Sequence, residues 1–415
     1  MKLGYKNTEV GVIPFDWVVS PISSLLEPNA RITYGVVQPG RDDSFGVPFI
    51  RGGDIFDGKI DVDGLRKISI DVSERYGRTV LRGGEIVISL VGFPGEAAIV
   101  SRDLSGANIA RQVALVRLSE DAEVCPEYLC HYLRSPQGKR LLLKDAIGSA
   151  QQVINLRDVN RFEFPLPSNV EEQSVISVAL DDVDELLAGL DKLIAKKRDI
   201  KQATMQQLLT GKTRLPGFTG AWEVKSVGDL TECFAGGTPA TSVDEYWGGG
   251  IRWMNSGDLN LRRVHEVEGR ITAAGLENSS AKLIPVGCVL IGLAGQGKTR
   301  GTVAVNYVQL CTNQSIAAIF PSRHFSSEYL YQALDFRYEE LRGLSDGGGG
   351  RGGLNIKIIK NLRIPFPSLE EQVSIADVLS GMDEDVERLE SQREKVFLLK
   401  QGMMQELLTG RTRLV

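Results

Sequence analysis

Residues 290–299 read LIGLAGQGKT: Gly292, four residues, then Gly297-Lys298-Thr299. This is the G-x-x-x-x-G-K-[ST] spacing of a phosphate-binding loop, whose backbone N–H groups cradle phosphates while the lysine reaches them and the hydroxyl holds magnesium. Such a loop needs a helix directly after it, so that the helix N-terminus receives the phosphates. Here RGTVAVNYVQ follows, and its alternating β-branched residues predict a strand. No apolar run ending in aspartate stands downstream to hold the magnesium. The stretch is read as an exposed hairpin tip carrying Lys298, Thr299 and Arg300, not as a nucleotide site.

Other reactive constellations fare no better. The [DNS]-P-P-[YFW] motif of amino-methyltransferases is missing, and no G-x-G-x-x-G follows a predicted strand. Cys125, Cys130, Cys233, Cys288 and Cys311 form no C-x-x-C, and with three histidines they suggest reduced thiols, not a metal site. Asp54 and Asp258 each follow a glycine at a strand edge, where an aspartate caps a turn. No catalytic group is assigned.

The elements that would position a site are organised by length and repetition. At 415 residues the chain exceeds one ordinary core, so two or three domains are expected. It is 42% hydrophobic and 24% charged with no 18-residue apolar run, which fits a globular protein and not a membrane span. MKLGYKNTEVGVIPFDW has no apolar stretch behind its lysine, so no secretion signal is expected and the cytoplasm is. Net charge is −5, but residues 1–160 carry 19 basic and 20 acidic groups and residues 216–360 carry 14 of each. Two large, nearly neutral segments would make weak nucleic-acid binders alone, because affinity follows the number of phosphates neutralised.

The chain is written twice. FPLPSNVEEQ (164–173) returns as IPFPSLEEQ (364–372), and MQQLLTGKTRL (205–215) as MQELLTGRTRL (404–414). Trp17 falls over Trp222, Asp54 over Asp258, Gly84 over Gly287 and Asn155 over Asn355. SLVGFPGEAA (89–98) is the partner of the opening stretch; it keeps a glycine, Gly92, but has Glu96 and no lysine. The strongly repeated segments read as helices. Ser168 and Ser368 stand three residues before Glu171 and Glu371 as capping boxes, and Gly211 and Gly410 mark the stops. Ile176, Ala179, Val183, Leu186, Leu190 and Leu193 alternate by three and four, a coiled-coil seam broken at Lys197 and resumed at Ile200. Ile375, Val378, Met382, Val386, Leu389, Val396 and Met403 form its looser second copy. At 1.5 Å per residue each helix is about 58 Å long. Between them, EIVISLVG, ANIARQVALVRL, GCVLIGLAG and SIAAIF read as short strands, and the PEYLCHYL and SEYLYQAL segments as helices.

Two variable segments, each trailed by a P-x-P-S…EEQ…M-Q-x-L-L-T-G-[KR]-T-R-L helix, resemble the specificity subunit of type I restriction-modification systems. GGTPATSVDEYWGGGIRWMNSGDLN (236–260) is similar to the opening of that family's target recognition domains, whereas the first domain has TYGVVQPG instead. The resemblance implies an α+β chain with a pseudo-two-fold internal repeat: target recognition domain 1 at 1–160, a helical spacer at 161–215, target recognition domain 2 at 216–360 and a second spacer at 361–415. The two β-rich domains would be separated by a long antiparallel two-helix coiled coil. It implies a non-catalytic subunit that binds double-stranded DNA, one half-site per domain. Partners would be two modification (adenine-N6 methyltransferase) subunits and ATP-driven restriction subunits. Those partners would use S-adenosylmethionine, ATP and magnesium, and this chain no cofactor. Candidate DNA contacts are Arg31, Tyr34, Arg41, Arg51, Gln151, Gln152, Thr238, Asn255, Lys298, Thr299, Arg300 and Arg351. A coiled-coil scaffold with two protein-binding β-rich domains is the alternative. Three further expectations follow: antiparallel helices with Val415 near the N-terminal segment and the domains at opposite ends; a buried Leu186; and mixed-charge runs AKKRDIK (195–201) and DEDVERLE (383–390) that face partners.

Overall fold

A computed structural model of the chain describes residues 4–144, 152–295, 299–344 and 353–414. It divides into two compact units, Met1–Asp191 with Ser391–Val415, and Lys192–Glu390. The division falls within two 39-residue helices, Val170–Leu208 (α2) and Leu369–Leu407 (α4).

Each unit is built on an apolar sheet. In unit one the strand order is Ala97–Ile99, Ile86–Ser89, Val113–Val116, Thr33–Tyr34, all antiparallel. In unit two Val303–Asn306, Val289–Gly292, Ile316–Ile319 and Cys233–Ala235 repeat that order, and Arg263–Val264 adds a fifth, parallel strand. The central strands are buried at every residue because both sheet faces are covered. Ile86 and Ile88 join one core with helix α1 (Pro126–Arg134), while Val87 joins a second on the other face. Val289 and Ile291 pack with α3 (Ser327–Phe336), and Leu290 with the opposite core. A strand covered on both sides reads as a continuous apolar run, which is how EIVISLVG and GCVLIGLAG look. Cys130, Cys233, Cys288 and Cys311 are buried and Cys125 is half-buried, all as free thiols; burial pushes the Cys288 thiol up to about 12.

The repeated motifs form a frame, also built twice. Glu172, 1% exposed, accepts from Arg413 (Nη2, 2.8 Å) and from Trp17 Nε1 (3.3 Å), and the Arg413 guanidinium lies 5.8 Å from the Trp17 ring. In unit two Glu371 takes two 2.6 Å bonds from Arg214, which lies 5.5 Å from Trp222. The glutamines act alike. Gln173 donates to the Pro167 carbonyl and accepts from the N–H of Cys125, the N-cap of α1; Gln372 does the same with Pro367 and Ser326, the N-cap of α3. Tyr128 and Tyr329 hydroxyls close each frame on the carbonyls of Pro165 and Pro365. The EEQ and TRL motifs are therefore one device, its parts 241 residues apart in one unit and 157 in the other.

The helices run antiparallel in both units. Arg393 pairs with Asp191 and Lys400 with Asp184 in unit one; Lys197 pairs with Asp385 and Lys201 with Asp383 in unit two. Tyr5 donates to Gly410 O and Arg413 pairs with Asp16, so the chain's end lies by its start; Val415 itself is outside the described residues. Gly211 and Gly410 both stop their helices at φ 67°, in the left-handed region that glycine adopts freely.

Three local expectations are corrected. Leu186, Leu193 and Val378 are 49%, 41% and 38% exposed, and Ala179 is only half-buried. The buried positions are Ile176, Leu180, Leu187, Leu190 and Ile194, with Ile375 and Leu379 in α4. At about 100° per residue, i+4 lies nearer the line of i than i+3 does, so the seam takes Leu187 over Leu186. Val183, Met382, Val386, Leu389, Val396 and Met403 are half-buried along the same stripe, and Ile200 is exposed. The first helix is capped by Asn169, which accepts from the Glu171 N–H at 2.9 Å, while Ser168 donates elsewhere, to Asp16 O. Ser368 does cap α4, through the Glu371 N–H at 3.3 Å, so the residue lost between copies lies at this cap. Finally, the two mixed-charge runs meet each other: Lys197, Arg198 and Lys201 pair with Asp385, Glu390 and Asp383.

Candidate nucleic-acid interface

In each unit four loop segments converge at one end of the sheet, and the backbone bonds that gather them repeat. In unit one Val36 N–H donates to Ile109 O, Ala110 to Ile50 O, Leu90 to Gln112 O, and Ile154 to Leu90 O, all at 2.7–3.0 Å. In unit two Gly237 donates to Thr312 O, Asn313 to Met254 O, Leu293 to Ser315 O, and Leu354 to Leu293 O, all at 2.8–3.0 Å. Arg111 and Gln314 occupy the same position in this pattern, between the second and third bonds, and both are exposed.

That alignment explains the divergent opening of the first domain. Gly35 stands where Gly236 stands. A Cβ on Gly35 would lie 1.8 Å from Ile109 O, and one on Gly236 would lie 2.1 Å from Thr312 O. Only glycine fits so close an approach. TYGVVQPG keeps the one glycine that the packing demands.

The turn after each opening is self-contained. Arg51 clamps Asp54 with bonds of 3.0 and 2.7 Å, and Asp54 also accepts from the Arg51 N–H; Asp54 is buried. Asp258 likewise accepts from the Asn255 N–H at 2.9 Å, and the Asn255 side chain accepts from Gly257. The turn-capping reading of the two aspartates holds, and Arg51 is engaged within its own domain.

The opening stretch is a hairpin. Val289–Gly292 pairs antiparallel with Val303–Asn306, so a strand and not a helix follows the motif. Lys298 lies outside the described residues, as do Gln151 and Arg351. Thr299 and Arg300 are half-buried, which corrects the expectation of a fully exposed tip. The unit-one counterpart turns inward too: Glu96 pairs with Lys139 of its own domain.

The other candidates separate. Tyr34, 47% exposed, lies at the convergence, and exposed Gln152 is two residues from Ile154. Thr238 donates to Gln314 Oε1 there, and Trp253 Nε1 ties the opening down through Gly237 O at 3.0 Å. Arg31 is exposed but lies the other way along the chain: Tyr34 pairs with Ala114 and Thr33 with Leu115, so the strand runs away from Arg111 towards Arg31. Arg41 is exposed on a different loop, beside strand Arg66–Ile68. Arg111 and Gln314 were not among the sequence candidates. The signal for them was present: laying ANIARQVALV over LCTNQSIAAI puts the two polar side chains at one place in an apolar run.

Comparison with known proteins places this architecture. Residues 14–197 and 220–396 each match the type I restriction modification DNA specificity domain. The chain is 30% identical over 220 residues to the type I restriction enzyme EcoBI specificity subunit of Escherichia coli, covering 52% of this chain but only 44% of that protein. It is 25% identical over 427 residues to the putative MjaX specificity subunit of Methanocaldococcus jannaschii, covering 99% and 96% of the two chains. The crystal structure of the S subunit from M. genitalium matches at TM-score 0.61 and 15% identity over 94% of this chain and 96% of that one, which establishes the fold. With a specificity-domain match in each half, the chain belongs to the type I restriction-modification DNA specificity family.

Proposed function

We propose that this chain reads a bipartite DNA target, one half-site through each convergent loop face, for an assembly that methylates or cuts the DNA. The observation that carries the reading is the pair of faces themselves: one backbone pattern built twice, with Arg111 in one and Gln314 in the other. Arginine recognises guanine edges and glutamine adenine edges in the major groove, so one scaffold with different side chains reads different bases. The chain itself carries specificity and no chemistry. Two modification subunits bring S-adenosylmethionine and methylate adenine N6, and restriction subunits bring ATP and magnesium. The long helices set the separation of the half-sites and dock the modification subunits, deletion of 361–415 removing the second. The complex works on cytoplasmic DNA; among the described residues no helix is long and apolar enough to cross a membrane.

The test is a mobility shift with the chain assembled on its modification subunits, using a target found by mapping methylated adenines in cells that carry the system. Sequence-specific retention of a bipartite site supports the reading. Equal retention of all duplexes, or none, overturns it.

A further inference from the structure

We propose that two repeat-related buried ion pairs, Lys201–Asp383 and Lys400–Asp184, set the register of the two long helices and hence the half-site spacing; this rests on the DNA-reading function proposed above. Both lysines stand in the apolar seam. Lys201 comes seven residues after buried Ile194, and Lys400 seven before buried Leu407. Lys201 and Asp383 are 12% and 13% exposed, Lys400 and Asp184 7% and 17%.

Each aspartate is also held by its own β-rich domain. Arg134 of α1 reaches Asp184 at 3.4 Å and Asp57 at 2.7 Å. Arg263 reaches Asp383 at 3.5 Å, and Gln332 of α3 donates to it at 2.8 Å. Each junction thus ties three elements together: one helix through its lysine, the other through its aspartate, and the domain through an arginine.

The physical argument is one of register. An apolar seam that repeats every seven residues is indifferent to a slip of one heptad, whereas a polar residue at a seam position specifies alignment. A slip here would part Lys201 from Asp383 and Lys400 from Asp184, leaving each aspartate only its domain partners, and breaking a largely buried pair is the costly case. One heptad is about 10 Å of helix, or about three base pairs at 3.4 Å each. Holding the register therefore holds the spacing to better than three base pairs.

The experiment replaces the pairs by apolar residues of similar volume: Lys201→Met, Asp383→Leu, Lys400→Met and Asp184→Leu together. Removing both partners of a buried pair is commonly neutral or stabilising, so the thermal midpoint should be kept. In the assembled complex, targets with the spacer changed by three base pairs should regain at least tenfold in affinity relative to wild type. Discrimination like that of wild type overturns the proposal. If the fourfold variant does not fold, Asp184→Asn with Asp383→Asn is measured against the same two outcomes. The register is also read without DNA, from a nitroxide pair at Glu185→Cys and Gln401→Cys in a Cys125→Ser background. One narrow distance distribution in wild type should broaden in the variant, and an equally narrow one overturns the proposal. Because this readout needs no DNA, loss of the DNA-reading proposal and loss of the register proposal are told apart.

Discussion

The two units share their frame and differ on their faces. Glu172 with Arg413 and Glu371 with Arg214, Gln173 and Gln372, and Tyr128 and Tyr329 occupy matching places and make matching bonds. At the convergent loops the backbone bonds match while the side chains do not: Arg111 against Gln314, Val36 against Gly237, a Glu96–Lys139 pair against a loop with Thr299 and Arg300. Side chains that hold a frame are chosen by their partners and so recur. Side chains that point outward are released from that constraint and are available for recognition.

The comparison is tested most sharply in the seam. Leu187 is 6% exposed, while the matching Val386 of α4 is half-buried and the neighbouring Leu186 is 49% exposed. Leu187→Asp should cost about 3 kcal/mol or more, because the charge is buried without a partner. Val386→Asp should cost less, and Leu186→Asp under about 0.5 kcal/mol as a surface change. Urea denaturation of the three variants gives the order; equal losses at 186 and 187 would restore the other seam.

The frame comes next. Glu172→Ala should destabilise by about 2 kcal/mol, discounted because Arg413 is partly exposed. Glu371→Ala should cost less by about 1 kcal/mol, the usual worth of one hydrogen bond. Trp17 Nε1 donates to Glu172, whereas Trp222 Nε1 is buried without a hydrogen-bond partner among the described residues. Equal losses in a chemical melt would mean that the tryptophan bond adds nothing.

On the faces the expected effects are smaller and lie in binding. Arg111→Ala and Gln314→Ala should each relax one base, in opposite half-sites, at about 1 kcal/mol. Selection of bound duplexes from a randomised library checks this, and relaxation in the same half-site would break the pairing of one face with one half.

The smallest effect is a pH asymmetry. Arg252 holds the Glu266 carboxyl down at about 2, with the Val267 N–H adding to the effect. A carboxyl lowered on folding adds stability above its ordinary range near 4.5, and that part fades as pH falls from there towards 2. Glu266→Gln should therefore flatten the acid limb of unit-two unfolding slightly and leave unit one unchanged. A steeper limb would contradict the sign.

What could be read from sequence was local or repeated. The helix stops at Gly211 and Gly410, the strand after LIGLAGQGKT and the turn role of Asp54 and Asp258 each depend on backbone chemistry within a few residues. The doubling of EEQ and TRL marked a shared frame before any contact was known. Tertiary structure decided what depends on residues far apart in the chain. Leu186 and Leu187 are both leucine next to one stripe, and only the packed helix chooses i+4 over i+3. Asn169 displaced Ser168 as a cap because Asp16, more than 150 residues earlier, takes the serine hydroxyl. The charge runs at 195–201 and 383–390 read as faces for partners, and folding sets several of their charges against each other. Arg111 and Gln314 became candidates once four loops had closed around them. Local steric and capping preferences are written in neighbouring residues, whereas burial and pairing belong to whichever surface the fold brings near.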